Sequence, residues 1–475
     1  MEQTVRDARG RSLPLAERLG HGAEGVVNRV KDSRLAVKRL FRRDADPGQA
    51  TALESRLRAV ARMPIEDLPI ARPMVMLAEP DLGFVMELVD DMVPLERQML
   101  APYEVELVPW YLATGGLRRR LRILARIATT LATLHTRGMA YGDPSPGNVL
   151  VSEPTDQDQI WLVDPDNLAV ESDGSRPAVY TPGYGAPELV NRGGRISTLS
   201  DAFAFAVMAH HTLFAVHPFI GDEIEEGPVE WEEAAHAYRV PWIDHAEDHS
   251  NVSTGGLPGR NRLVTRTVTR YFRSTFEEGL LEPRRRPSCA DWAMALWQAG
   301  DAMIACGSCP GQRFATRACP WCGASSGSDL VCRIWLHAGP DVFSLDRAER
   351  SGDPDRVVGV RGWDIPAGEL VAIDRGRPFV LTGRHGEIRP AAPDRPLSTV
   401  SWDGDNRIQV RNVGARPVLL VSGDRNVQRR LWPEQDAEVE LRPEVPPWRL
   451  CFTSDPLSPH RQVTFDLIES TGTVR

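Results

Sequence analysis

Lysine is almost missing from this chain of 475 residues. Among its 56 basic residues only Lys31 and Lys38 are lysine, and every other one is arginine. A sequence that uses arginine so widely yet keeps lysine inside Ala36-Val37-Lys38-Arg39-Leu40 points to a need for a compact ammonium there, because a planar guanidinium is not its equivalent. Positive charge is not in excess either. The formal net charge of −9 argues against a generic binder of phosphate backbones, so no nucleic-acid partner is expected. The most apolar stretch, Ala202 to Ile220, is interrupted by His210, His211 and His217, which suits a buried helix better than a membrane span. Met1 to Gly10 is polar and carries no apolar core, so neither a secretory leader nor a membrane partner is expected, and the location is expected to be cytoplasmic. Cysteine is sparse, at seven residues. Four of these fall in two C-x-x-C pairs, where a disulfide or reduced thiols are the alternative to a metal, while Cys289, Cys332 and Cys451 are scattered as free buried thiols usually are.

What is present is enough for several cores. With 42% hydrophobic and 25% charged residues, the chain reads as globular, and its length allows more than one domain. Leu13–Leu19, Val26–Val30 and Leu35–Leu40 read as strands around a glycine turn, Gln49–Ala61 as a helix, and Gly83–Val89 as a further strand. Beyond Asp90-Asp91 long helices take over, with Leu117–His135 the clearest, and helical character runs to about Ile304. The basic runs Arg118–Arg120 and Arg284–Arg286 read as solvated helix faces or structural ion pairs. From Val331 onward short apolar runs alternate with Gly, Pro and Asp, as in a sandwich or barrel.

The residues that could carry chemistry come in a definite order. Gly20-x-Gly22-x-x-Gly25-x-Val27 lies between two strands, and Lys38 sits on the next strand. Glu54, on the following helix, is placed to pair with Lys38. Tyr141-Gly142-Asp143-Pro144-Ser145-Pro146-Gly147-Asn148 supplies Asp143, a candidate acceptor for a hydroxyl proton, and Asn148, a candidate metal ligand. Asp164 follows the strand Ile160–Val163 and offers a carboxylate for Mg²⁺. Transfer of a γ-phosphoryl group needs these parts: amides close to the phosphates, a cation on their oxygens, and a metal bridging them.

Residues 13 to about 300 resemble the Hanks-type, eukaryotic-like Ser/Thr protein kinases. Further marks are Ala186-Pro187-Glu188, Asp201, Arg286 as the partner of Glu188, and Met86-Glu87-Leu88-Val89 as gatekeeper and hinge. The resemblance implies an α+β, bilobal protein-kinase fold. It further implies that ATP binds at Gly20, Gly22, Gly25, Val27, Lys38, Met86, Glu87 and Val89, that Mg²⁺ or Mn²⁺ binds at Asn148 and Asp164, and that Asp143, Lys38 and Glu54 are catalytic, acting on a protein substrate. The sequence departs from the family pattern in four places: Tyr141-Gly142 for His-Arg, Ser145 for a γ-phosphate lysine, Pro165 for the hinged Phe, and Asp166 for Gly. This style is similar to a divergent bacterial branch carrying a zinc ribbon, whose relatives are encoded beside von Willebrand A-type proteins and a metal-dependent phosphatase, which implies such partners in signalling.

Cys306-x-x-Cys309 and Cys319-x-x-Cys322 offer four thiolates in two knuckles, the donor set of a structural zinc site. The expected domains are an N-lobe at 12–90, a C-lobe at 91–303, a zinc ribbon at 304–325 and an all-β, sandwich-like binding domain at 330–475. Two rival functions stand beside the protein kinase. One is a nucleotide-binding pseudokinase scaffold, favoured by Ser145 and Pro165. The other is a small-molecule phosphotransferase, against which Ala186-Pro187-Glu188 and the glycine loop count.

Overall fold

The computed structural model describes residues 3–21, 25–41, 47–170, 180–315, 317–325, 327–339, 350, 363–390, 392–424, 427–442, 445–455 and 458–469. The chain divides into two compact units, residues 1–297 and 298–475.

The first unit opens with strands β1 (Thr4–Arg6), β2 (Ser12–His21), β3 (Gly25–Val30) and β4 (Leu35–Leu40), then helix α1 (Pro47–Val60), then β5 (Val75–Met76) and β6 (Gly83–Glu87). They form a six-stranded antiparallel sheet in the order β1-β2-β3-β4-β6-β5. It starts earlier than the sequence suggested, because Thr4–Arg6 pairs with Ser12–Pro14 around the buried Asp7, whose carboxylate accepts from the amides of Arg9 and Arg11, each at 2.9 Å. Alternation of apolar residues along β3, β4 and β6 fills two cores, one on each face of the sheet. One gathers Val5, Leu13, Leu15, Val30, Val37 and Val85. The other gathers Ala36, Leu40, Leu57, Phe84, Met86 and Leu88, with Val27, Trp161 and Val163 against them.

Helices dominate the remainder of this unit. Helix α2 (Gly116–Thr136) buries Leu117, Leu121, Leu124, Ala128, Leu131 and Leu134 at helical spacing. Helix α3 (Pro187–Arg192) is short, and α4 (Thr198–Phe214) is apolar on all sides and buried along its length. Its start is a capping box between Ser197 and Ser200. The run Arg118–Arg120 is not simply a solvated face. The Arg120 guanidinium is fully buried, donates to the carbonyls of Gln98 and Tyr111 (both 3.1 Å) and lies 3.8 Å from the centre of the Tyr111 ring. Burial lowers its pKa to about 10, so it keeps its charge at neutral pH and the carbonyls and ring compensate it.

In the second unit Met303–Ala305 and Gln312–Phe314 form a hairpin with Cys306 and Cys309 between its strands, and Cys319 and Cys322 follow it. Beyond it lie two antiparallel sheets. The larger has the order Asp364–Ile373, Ser328–His337, His460–Glu469, Arg449–Cys451, Val418–Val421, Gln428–Leu431, and the smaller Phe379–Thr382, Pro396–Trp402, Arg407–Asn412, Asp436–Glu440. Leu330, Val371, Leu420, Val463 and Phe465 of the first share one core with Leu381, Val400, Ile408, Val410 and Val439 of the second, as facing sheets require. Among the described residues, no helix is long and apolar enough to cross a membrane.

Glu188 on α3 is held by Arg286 through two 2.8 Å hydrogen bonds, and the same guanidinium donates to the carbonyls of Gly279 (2.8 Å) and Leu199 (3.0 Å). Its side chain is fully buried. Arg286→Ala strands the Glu188 carboxylate and two carbonyls, and is expected to lower stability by about 3–5 kcal/mol. Urea unfolding of the full chain followed by tryptophan fluorescence measures this, and an unchanged midpoint would refute it.

Candidate active site

The candidate site is built from four parts of the first unit: the facing ends of β2 and β3, β4, the loop after α2, and the turn that follows the strand Ile160–Leu162. Gly20 is the penultimate residue of β2 and Gly25 opens β3, while Gly22 lies outside the described residues. A methyl group on Gly25 would sit 2.2 Å from the carbonyl oxygen of Arg39, and one on Gly83 would sit 2.1 Å from that of Lys38. Both positions therefore exclude a side chain, which lets β3 and β6 close on either side of β4 at Lys38. Val27 pairs across the sheet with Lys38, and Met86 with Ala36. Leu88 donates its amide to Arg34 O at 3.0 Å, so by strand alternation the backbone groups of Glu87 and Val89 point away from β4.

Lys38 and Asp164, 126 residues apart in sequence, meet. The ammonium Nζ lies 2.8 Å from Asp164 Oδ1 and 3.3 Å from Asp166 Oδ2. The lysine side chain is 6% exposed, Asp166 is 7% and Asp164 46%. Asp164 takes the left-handed backbone conformation (φ 57°, ψ 57°) at the head of a 3-10 turn, Pro165–Asn167. That kink turns both carboxylates onto the same ammonium. Glu54 is held elsewhere: its carboxylate accepts from Arg58, one helical turn on, at 2.6 and 3.1 Å. The expected pairing of Glu54 with Lys38 is thus not the arrangement seen, since an i,i+4 arginine is the nearer cation for this half-exposed side chain and the DPD turn supplies the nearer anions for the lysine.

Asp143 is fixed by three donors. Its carboxylate accepts from the Thr181 amide and hydroxyl, both at 2.9 Å, and from Asn148 Nδ2 at 3.1 Å. Burial pushes its pKa up, and those hydrogen bonds pull against the rise. Asn148 Nδ2 also donates to the Asp143 carbonyl at 3.1 Å. Both hydrogen bonds of Asn148 thus use its nitrogen, leaving the side-chain oxygen as the atom a hard cation would take. Thr181 went unnoticed in the sequence. Its signal was its place two residues before Gly183-Tyr184-Gly185-Ala186-Pro187-Glu188, a segment already singled out.

The loop itself hangs on Asp201, whose carboxylate accepts from the amides of Tyr141 (2.6 Å) and Gly142 (2.9 Å) and lies 3.0 Å from His135 Nε2. Tyr141 donates its hydroxyl to the carbonyl of Val163, the residue before Asp164. Gly142 has φ 96°, and a methyl group there would lie 2.7 Å from Asn167 O, so no arginine fits where the family places one. Beneath the Gly183–Glu188 segment, His217 Nε2 donates to Gly183 O at 3.1 Å and Tyr184 OH lies 3.1 Å from His211 Nδ1. Burial holds both histidines below their ordinary pKa, His211 at about 4.

In the second unit the sulfurs of Cys306, Cys309, Cys319 and Cys322 all lie within 4.8 Å of one another. Cys306 and Cys322 are 3.7 Å apart and Cys309 and Cys319 3.6 Å. Backbone amides of Ser308 and Gly311 face the sulfurs of Cys306 and Cys309 at 3.4 Å. These four thiols can hold a metal ion.

A family model described as the protein kinase domain matches residues 14–290. The chain is also similar to a probable inactive receptor kinase of Arabidopsis thaliana, 31% identical over 121 residues, covering 24% of this chain and 11% of the relative. A serine/threonine-protein kinase of Myxococcus xanthus is 32% identical over 111 residues (22% and 13%), and the human ribosomal protein S6 kinase alpha-3 is 35% identical over 107 (22% and 14%). Each match spans only a small part of the relative's length.

Gly138 and Gly142 both have positive φ, but only Gly142 lacks room for a side chain. Gly138→Ala is expected to cost about 1 kcal/mol of backbone strain, and Gly142→Ala about 1–3 kcal/mol more as the Asn167 carbonyl is displaced. Paired thermal melts would show the difference, and equal shifts would contradict it.

Proposed function

This chain belongs to the protein kinase family, and from that premise we propose that it transfers the γ-phosphoryl group of ATP to a serine or threonine hydroxyl of a protein substrate. The observation that carries the reading is the 2.8 Å approach of the Lys38 ammonium to the Asp164 carboxylate. In this reading Gly20, Gly22 and Gly25 let backbone amides approach the phosphates, and Val27, Met86, Glu87 and Val89 meet the adenine. Lys38 lies along the α- and β-phosphate oxygens. Asp143, oriented by Thr181 and Asn148, accepts the hydroxyl proton as the oxygen attacks. Asp164 and Asn148 would hold Mg²⁺ or Mn²⁺, which would supply positive charge to offset that of the phosphates. Similarity to serine/threonine kinases supports the choice of hydroxyl. A role in bacterial signalling, with von Willebrand A-type and phosphatase partners, belongs to the same proposal and rests on the sequence resemblance.

The rival reading is a pseudokinase that binds nucleotide without transfer. It is favoured by the buried Ser145 where the family has a lysine, and by the match to a relative named as probably inactive. Labelled ATP with Mg²⁺ or Mn²⁺ and a generic protein substrate separates the two. Phosphate transfer is expected, with Asp143→Ala lowering the rate by ~10²–10⁴-fold. A nucleotide-induced rise in melting temperature without any transfer would favour the scaffold.

The pH dependence follows from the burial of Asp143. Only the ionised carboxylate accepts the proton, and burial raises its pKa from 3.8. Activity should therefore fall on the acid side at a higher pH than an exposed aspartate would give. Thr181→Val removes a donor to the ionised form, so the acid limb of kcat/KM should move further up. A limb that stays put would show that Asp143 is not the group titrating.

For the cysteine cluster we propose structural zinc. A tetrahedron with Zn–S near 2.3 Å has S···S edges of about 3.8 Å, close to the two spacings observed. The purified chain is expected to carry one zinc by elemental analysis, and the Cys309→Ser, Cys319→Ser double variant none. A metal-free wild type with reduced thiols would refute this.

A further inference from the structure

The geometry points to Asp166, rather than a carboxylate of helix α1, as the residue that positions Lys38 for the phosphates. This inference deepens the kinase reading and rests on it. An ammonium whose side chain is 6% exposed has lost most of its hydration and needs a nearby anion to offset its charge. Three carboxylates are candidates in sequence, and the structure separates them. Glu54 is turned to Arg58 and its side chain is 40% exposed. Asp164 touches Lys38 at 2.8 Å but is 46% exposed, and in the proposed reaction its charge is shared with the divalent cation. Asp166 lies 3.3 Å from Nζ, is 7% exposed, and is the anion that stays with the lysine when Asp164 serves the metal.

The backbone makes this contact rigid. Asp164 in the left-handed conformation and Pro165, whose ring fixes φ, set the spacing between the two carboxylates. The 3-10 turn Pro165–Asn167 is closed by the Leu168 amide donating to Pro165 O at 3.0 Å. Lysine and anchor are thus tied by β4 and this one turn. In kinases where a glutamate of the N-lobe helix holds the lysine, the helix's position decides whether the site is assembled. Here the anchor belongs to the turn Pro165–Asn167, which packs against α1 but is not part of it, so the lysine's partner is set by that turn rather than by a glutamate of the helix. Asp166 is accordingly a positioning residue that acts through Lys38 and touches no substrate atom.

The test measures binding of a fluorescent ATP analogue with Mg²⁺ to the full chain, and steady-state KM and kcat for ATP. Asp166→Asn is expected to weaken binding at least tenfold and to raise KM more than it lowers kcat. Glu54→Gln is expected to weaken binding less than threefold. In a Lys38→Met background, Asp166→Asn should add less than twofold, because the residue it acts through is gone. Full additivity there, or unchanged affinity in the single Asp166→Asn variant, overturns the inference. Should Asp166→Asn fail to fold, judged by its melting curve without nucleotide, Glu54→Gln decides alone, and a threefold or larger loss overturns the inference. A wild-type chain that binds no nucleotide overturns the kinase reading itself, whereas nucleotide binding that ignores Asp166 overturns only this inference.

Discussion

The candidate site depends on one buried carboxylate that never touches it. Asp201, fully buried near the start of α4, accepts from two consecutive amides of the loop that carries Asp143 and faces His135 on α2. Backbone amides in such a place must be paired, and an ionised acceptor pairs them more strongly than a neutral one would. The loop is thereby fixed to the buried helix α4. From it Tyr141 reaches Val163 O, the last backbone group before Asp164. One anion thus sets the spatial relation between the loop bearing Asp143 and the turn bearing Asp164 and Asp166.

Linear order made most of this legible. Glycines, lysine, loop aspartate, asparagine and strand-end aspartate appear in a fixed sequence because each occupies a successive segment of one fold. Strand alternation and helix period were enough to place β2, β3, β4, β6 and α2, though not β1. What could not be read was competition between like charges. The sequence points to Glu54 as the partner of Lys38, and the different outcome turns on Arg58 lying one helical turn from Glu54 and on a left-handed residue at 164. Nor could sequence reveal that Thr181 would fold back 38 positions to donate twice to Asp143.

The second unit shows where periodicity loses its grip. Pro396–Trp402 is hard to read as a strand because a serine, Ser398, occupies one of its core positions beside Val400 and Trp402, which breaks the apolar alternation. Gln428–Leu431 was hidden for the opposite reason. It is an edge strand with exposed Gln428, Arg429 and Arg430, and charged residues on an edge protect it from pairing with other chains. The cysteine spacing, by contrast, carried its meaning plainly, because four thiols in two knuckles admit few alternatives in a chain with so few others.

The scarcity of lysine has a chemical corollary. Lys31 sits exposed in the turn between β3 and β4, and Lys38 is enclosed by two carboxylates. These are the chain's two side-chain primary amines. Among side chains, a reagent that acylates amines therefore meets one open target and one guarded target, and the ratio of the two products becomes a mass-spectrometric gauge of how often Asp164 and Asp166 release Lys38.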